Sequence, residues 1–176
     1  MCARCANGFS IASLSVLTKG IEDKMTKIVE VGPELTPLAL RVIQKSAGAS
    51  YPKYIGARRI GADWLRDEIS AWVRSPRGRV LIAFDKGNPV GVLATLRHFR
   101  SLELGSLFVT PQAAFKGLGS ALFLLARIDA RARNMRMYIE VLARNRACRE
   151  FCERRNGILM QRRPSRWGDI VVYGWN

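Results

Sequence analysis

LGSLFVTPQAAFKGLGSALFLLARIDARARN, residues 104–134, is the stretch whose reading decides the fold of this chain. Leu107, Phe108 and Val109 are strand formers, and Thr110-Pro111 ends the run because proline has no N–H to give a ladder. From Leu118 the apolar residues fall at Leu118, Ala121, Leu122, Leu125 and Ile128. Steps of three and four place them on one buried stripe of a helix. Between strand and helix stand Gly117 and Gly119, flanked by Lys116 and Ser120. Read alone, such a Gly-x-Gly is either an ordinary turn opening a helix or a concavity of backbone amides that holds phosphate at the positive end of the helix dipole.

Spacing narrows the choice of phosphate ligand. A P-loop needs Gly, four residues and then Gly-Lys-Ser/Thr, and no such string exists here. A dinucleotide fingerprint needs Gly-x-Gly-x-x-Gly/Ala directly after the strand; here Leu122 takes the third position and seven residues separate Val109 from Gly117. Glu140 does lie about where a ribose-binding acid would fall. A third pattern accounts for more. LFVTPQAAFKGLGSALF resembles motif A of the GNAT superfamily of N-acetyltransferases: a strand, a short loop, Arg/Gln-x-x-Gly-x-Gly/Ala, and a helix. The string in this chain is Ala114-Phe115-Lys116-Gly117-Leu118-Gly119, with Ala114 departing from the usual Arg or Gln.

The rest of the chain extends the pattern on both sides. Lys27 to Val31 reads as a strand closed by Gly32-Pro33, Leu38 to Lys45 as a helix ending near Gly48, and 52–61 as a polar connection. Ala62 to Val73 is a second helix with Trp64, Leu65, Ile69 and Trp72-Val73 on its apolar face. Pro76-Arg77-Gly78 breaks it. Val80 to Phe84 and Pro89 to Phe99 are strands joined by the turn Asp85-Lys86-Gly87-Asn88. After the central helix come a strand at Met135 to Ala143, a helix at Arg146 to Arg155 stopped by Asn156-Gly157, and strands at Ile158 to Arg162 and Asp169 to Trp175. Consecutive hairpin-linked strands argue against a doubly wound dinucleotide-binding domain. The order β-α-α-β-β-β-α-β-α-β-β is similar to that of the GNAT superfamily over residues 27–176. The expected fold is therefore one mixed α/β (α+β) domain at 25–176, its mostly antiparallel central sheet flanked by helices.

Composition bounds the partners. The 176 residues suffice for one domain with a real core, and 48% apolar with 24% charged residues is ordinary for a globular protein. The net charge of +15, mostly arginine, is not ordinary. It favours polyanions such as coenzyme A phosphates, RNA or DNA, the ribosome included, or an anionic membrane face, or else is a solvated basic surface. No apolar run has the length of a membrane span, so the expected location is cytoplasmic. Cys2 and Cys5 form a C-x-x-C pair without a second pair at zinc-ribbon spacing, and Cys148 and Cys152 lie four apart on one helix face. Reduced thiols are the expectation, with no metal. Residues 1–24 read as a disordered extension, or translation begins at Met25.

The resemblance implies chemistry at particular positions. It makes acyl-CoA, acetyl-CoA in the usual case, the co-substrate and an amine, on a small molecule or a protein, the acceptor. Pantetheine would pair with the backbone of Phe108 and Val109, and amides from Lys116, Gly117, Leu118, Gly119 and Ser120 would take the pyrophosphate. Asn145 stands at the family's second CoA contact. Cys152 replaces the tyrosine that protonates the leaving thiolate in many relatives, so it is either a catalytic acid or a buried thiol. Glu103, fourteen positions before Gly117, falls where the histone-type branch carries its general base. Glu140 is the runner-up, and His98 reads as a surface histidine. The second class of function is a GNAT-like module that has lost turnover and binds RNA or another polyanion through its arginines.

Overall fold

Val80 to Phe84 is apolar at every position because its strand is covered on both faces. Val80 and Ile82 turn to one side of the sheet, Leu81 and Ala83 to the other. The computed structural model describes residues 26–50 and 62–176. In chain order these form β1 (Thr26–Glu30), α1 (Thr36–Ser50), α2 (Ala62–Arg74), β2 (Gly78–Asp85), β3 (Asn88–Arg97), β4 (Ser101–Val109), a short 3-10 turn at Pro111–Ala113, α3 (Leu118–Ala132), β5 (Arg136–Leu142), α4 (Arg146–Glu153), β6 (Ile158–Arg163) and β7 (Ile170–Trp175). The expected extension at 1–24, the pair Cys2 and Cys5, and the connection at 52–61 lie outside the described residues, as do the side chains of Trp64 and Leu65.

The seven strands make one sheet in the order β1-β2-β3-β4-β5-β7-β6. Every neighbouring pair is antiparallel except β4 and β5. Parallel neighbours need a crossover, and α3 supplies it. One core lies between the sheet and α3 with α4, holding Leu122, Phe123, Ala126 and Cys152 against Leu102, Leu104, Met137 and Tyr173. The other packs Val42, Ile43, Ile69 and Trp72 of α1 and α2 on Val80, Ile82, Val92 and Ala94.

Local chemistry accounts for most boundaries. Lys86 (φ 49°) and Gly87 (φ 77°) make the two-residue turn between β2 and β3, whose twist suits an antiparallel pair. α1 is longer at both ends than its apolar periodicity predicts. Pro37 fits a first turn, where its missing N–H would have no partner anyway. Gly48 does not stop the helix: a single glycine costs about 1 kcal/mol. Burial of Ala39, Val42, Ile43 and Ala47 outweighs that cost. At the end of α4, Asn156 rather than Gly157 takes the left-handed conformation (φ 57°). Among the described residues no helix is long and apolar enough to cross a membrane.

Candidate active site

β4 and β5 begin as paired neighbours and then part. Their parallel ladder holds only Ser101 to Arg136, Leu102 to Met137 and Glu103 to Tyr138. The cause sits in β4. Ala94 of β3 faces Ser106 while Thr95 faces Leu104, so Gly105 is an extra residue and β4 bulges there. A bulge bends its strand and turns the alternation by one place. Leu102 and Leu104 before it, and Leu107 and Val109 after it, all face the α3 core, whereas Phe108 packs on the α1–α2 side. Glycine is required at the bulge, since a Cβ would stand 1.7 Å from the Trp72 indole.

The wedge beyond the bulge has backbone to offer. Thr110 N–H donates to the Val90 carbonyl of the β3 side. Antiparallel alternation then turns the N–H and C=O of Phe108 toward β3 as well, and those of Leu107 and Val109 toward the gap. The edge that sequence reading gives to Phe108 and Val109 therefore passes to Leu107 and Val109.

At the mouth of the wedge lies the glycine bend. Gly117 (φ 83°) is left-handed, and Phe115 (φ 61°) is too, so the chain turns sharply twice before α3 begins. Lys116 and Gly117 are exposed, and Gly119 and Leu118 partly so. Ala121 N–H is the first to bond into the helix, to the Gly117 carbonyl. The amides of Leu118, Gly119 and Ser120 thus have no intrahelical acceptor. No side chain caps the helix and no acid stands in its first turn.

Arg155, which sequence reading passed over, comes to this bend from the far end of α4. Its Nη2 donates to Ser120 Oγ. Nη1 donates to the Phe151 carbonyl at 3.1 Å, and the guanidinium lies 3.6 Å from the centre of the Phe151 ring. Burial, and then the neighbouring charge of Arg154, pull its pKa below the ordinary guanidinium value. The Arg154-Arg155 pair was visible as charge, but nothing local tied it to residue 120.

On the other face of β4 and β5, at the vertex of the wedge, is an acid with two partners. Glu103 Oε2 lies 2.9 Å from His98 Nε2 and accepts a 3.2 Å hydrogen bond from the Tyr138 hydroxyl. Burial first and the charge of Glu103 second push the Tyr138 hydroxyl up to about 12, so it stays protonated and donates. Glu103 is 24% exposed and His98 42%. His98 is at the surface as expected, but it is bound to the acid rather than free. Glu140 is held by Arg163 Nη2 at 2.7 and 2.8 Å through both carboxylate oxygens.

Glu68 of α2 feels the charge of Glu103. Burial, and then the charge of Glu103, raise its carboxyl above the usual value. The folded chain therefore binds that proton more tightly than the unfolded chain, and stability falls as pH rises from the usual carboxylate range through the raised value. Glu68→Gln is expected to raise Tm at about pH 8 and to leave it unchanged near pH 3.5, where the acid is neutral in both states. Thermal melts of the two proteins at the two pH values check this.

Asn145 caps α4, its Oδ1 accepting from the Cys148 N–H at 3.1 Å. Cys152 is wholly buried, and its hydrogen bond with Cys148, together with burial, pushes its thiol well above the ordinary range. Among the described residues no cluster of His, Cys, Asp and Glu is grouped to hold a metal ion.

Comparison with known proteins gives the following. The model of the acetyltransferase (GNAT) family matches residues 46–158. No curated protein matches the chain. Among solved structures, a GNAT-family protein from Desulfovibrio desulfuricans superposes with a TM-score of 0.71 at 18% identity, over 86% of this chain and 98% of that one. PaiA N-acetyltransferase from Thermoplasma acidophilum, in complex with coenzyme A, gives 0.71 at 16% identity over 85% and 99%. The ribosomal-protein-S18-alanine N-acetyltransferase from Escherichia coli gives 0.68 at 18% over 85% and 92%. At these identities the likeness is one of fold.

Proposed function

The chain belongs to the acetyltransferase (GNAT) family, and from that premise we propose that it moves an acyl group, acetyl in the expected case, from acyl-CoA to an amine by direct attack on the thioester. One observation carries the reading: β4 and β5 separate beyond Glu103 and Tyr138, and the separation opens at a bend whose helix-start amides have no internal acceptor. The chemistry of that bend suits a diphosphate. It combines unused N–H donors, the positive end of a helix, Lys116 beside it and Arg155 on Ser120. The fold's neighbour from Thermoplasma acidophilum was solved with coenzyme A, which supports the same ligand here.

Each residue then has a role. The amides of Leu118, Gly119 and Ser120, with Lys116 and Arg155, hold the diphosphate. Leu107 and Val109 present N–H and C=O to the pantetheine amides as an added strand would be met. Asn145 keeps its side-chain N–H donors for a coenzyme carbonyl while its oxygen caps α4. The bound coenzyme supplies an acyl group activated as a thioester. Glu103 takes the proton from the attacking amine, because its Oε1 is open while Tyr138 and His98 fix Oε2. Glu140, occupied by Arg163, is the poorer base. Cys152 packs rather than reacts: a buried thiol with a raised pKa does not ionise near neutrality. The thiolate of the leaving coenzyme takes its proton from water.

Titration calorimetry with acetyl-CoA, followed by coenzyme A release across a panel of amines and peptides, tests the reading. Absence of any binding heat at low salt would remove it. Arg155 offers a sharper test, since the family's usual side chain at the first motif position is replaced by Ala114. Arg155→Ala is expected to weaken coenzyme A binding about ten- to a hundredfold, the range of a charge-assisted hydrogen bond. Equal affinity for wild type and variant would take Arg155 out of the site.

A further inference from the structure

Among the described residues β6 is the outermost strand of the sheet and pairs only with β7. Its other side offers unpaired N–H and C=O groups, with no strand on it among the described residues. Folded proteins usually blunt such an edge with charge or proline. Here Arg162 and Arg163 place charge on the second half of the strand and the ladder slips at Met160, but in the first half Ile158, Leu159 and Met160 are 62%, 55% and 61% exposed. The opposite edge, β1, carries Lys27 and Glu30 exposed, as a blunted edge should.

Beside β6 lies a cavity of about 430 Å³, floored by Ala143 and Val171, with Leu159 on its wall. Arg144, Arg149 and Arg162 line it with Asp169; Arg149 lies 3.8 Å from Glu153, and Arg144 donates to the Trp167 carbonyl, so Arg144 carries the excess charge. Asp169 is already neutralised by Arg162 at 2.7 Å. The cavity is therefore cationic over an apolar floor. It lies across β5 from the wedge, so it is separate from the proposed coenzyme site.

We propose that β6 and this cavity form a docking edge for an extended, acidic and apolar segment of a partner protein. The segment adds to the sheet as an eighth strand, its backbone satisfying β6, its apolar side chains covering Ile158 to Met160, and a carboxylate entering the arginine cavity. Charge decides the occupant. A second copy would bring another +15 chain to the same arginines. A nucleic acid would meet aliphatic side chains on this strand, where aromatic platforms are what hold bases.

The test uses the full chain and three fluorescent probes of equal length: a capped peptide alternating Glu and Val, its Lys and Val counterpart, and a uridine oligonucleotide. The Glu peptide is expected to bind, more weakly as salt rises, and to protect the amides of 158–163 from hydrogen exchange. The Lys peptide is expected not to bind. Ile158→Thr/Met160→Thr and Arg144→Gln/Arg162→Gln are each expected to lower Glu-peptide affinity about tenfold or more. Both variants should keep wild-type coenzyme A affinity, which separates this surface from the coenzyme site. The proposal is overturned if the Glu peptide binds both variants as tightly as wild type. It is equally overturned if the oligonucleotide alone is lost with the arginines, or if sedimentation shows a dimer that the threonine variant splits.

Discussion

Gly119→Glu is expected to weaken coenzyme A binding at least about a hundredfold, some 2.7 kcal/mol, while Tm stays at or slightly above the wild-type value. The two halves of that expectation have separate physical causes. A Cβ at residue 119 would lie 3.7 Å from Val109 Cγ2 and 3.8 Å from Phe151 Cε2, which is ordinary contact, so the protein has room for the first atom of a side chain. A carboxylate in the first turn also complements the helix dipole, where no acid now stands. Folding therefore has nothing to lose. The remainder of the glutamate has to occupy the concavity that the amides of 118–120 face, and it brings a negative charge to the place proposed for a diphosphate. Calorimetry of wild type and variant, with melting curves alongside, reads both halves. Undiminished affinity would mean that the bend does not touch the coenzyme.

Glu103→Gln is expected to lower kcat about 10²- to 10³-fold, the usual contribution of a positioned general base, with little change in KM for acyl-CoA. Glutamine keeps one oxygen to accept from Tyr138 and fills the same volume, so the vertex of the wedge stays packed. What it loses is the capacity to take a proton. The bend proposed for the coenzyme is at the other end of the wedge, which is why the effect belongs in kcat rather than in coenzyme affinity. Steady-state kinetics with any amine that the panel finds would measure this split. A kcat within threefold of wild type would assign the proton to water or to another group. The low exposure of Glu103 and its pairing with His98 also give the proton a way out, since His98 reaches solvent.

The element order, the mixed sheet and the position of the amide-rich bend were legible in the residues alone. Periodicities of two and 3.6 report which face of a strand or helix is buried, and Gly117, Asn145 and Asp85-Lys86-Gly87-Asn88 act on backbone within a few residues of themselves. Such signals need no knowledge of what lies across the sheet. The same logic explains a small misreading. The stop at Gly48 was a propensity of about 1 kcal/mol, overridden by burial of the helix face. The stop expected of Asn156-Gly157 falls on Asn156, which tolerates the left-handed conformation nearly as well as glycine.

Other features depended on which elements became neighbours. Arg155 reaches Ser120 from 35 residues away, and Glu140 is tied to Arg163 over 23, distances over which composition and spacing carry no register. His98, read as a lone surface histidine, is joined to Glu103 because a tight turn, closed by the His98 N–H to the Ser101 carbonyl, brings the ends of β3 and β4 together. The gap-facing edge of β4 shifted from Phe108 to Leu107 because alternation tells two faces apart but not where an extra residue enters the ladder. By itself the sequence determined the local conformations, the order of elements and the amide-rich bend. Only the tertiary structure decided the wedge, the partners of the acid and the second cation at the bend. Each of these is set by contacts between strands and helices distant in the chain, whose pairing follows from packing both faces of one sheet.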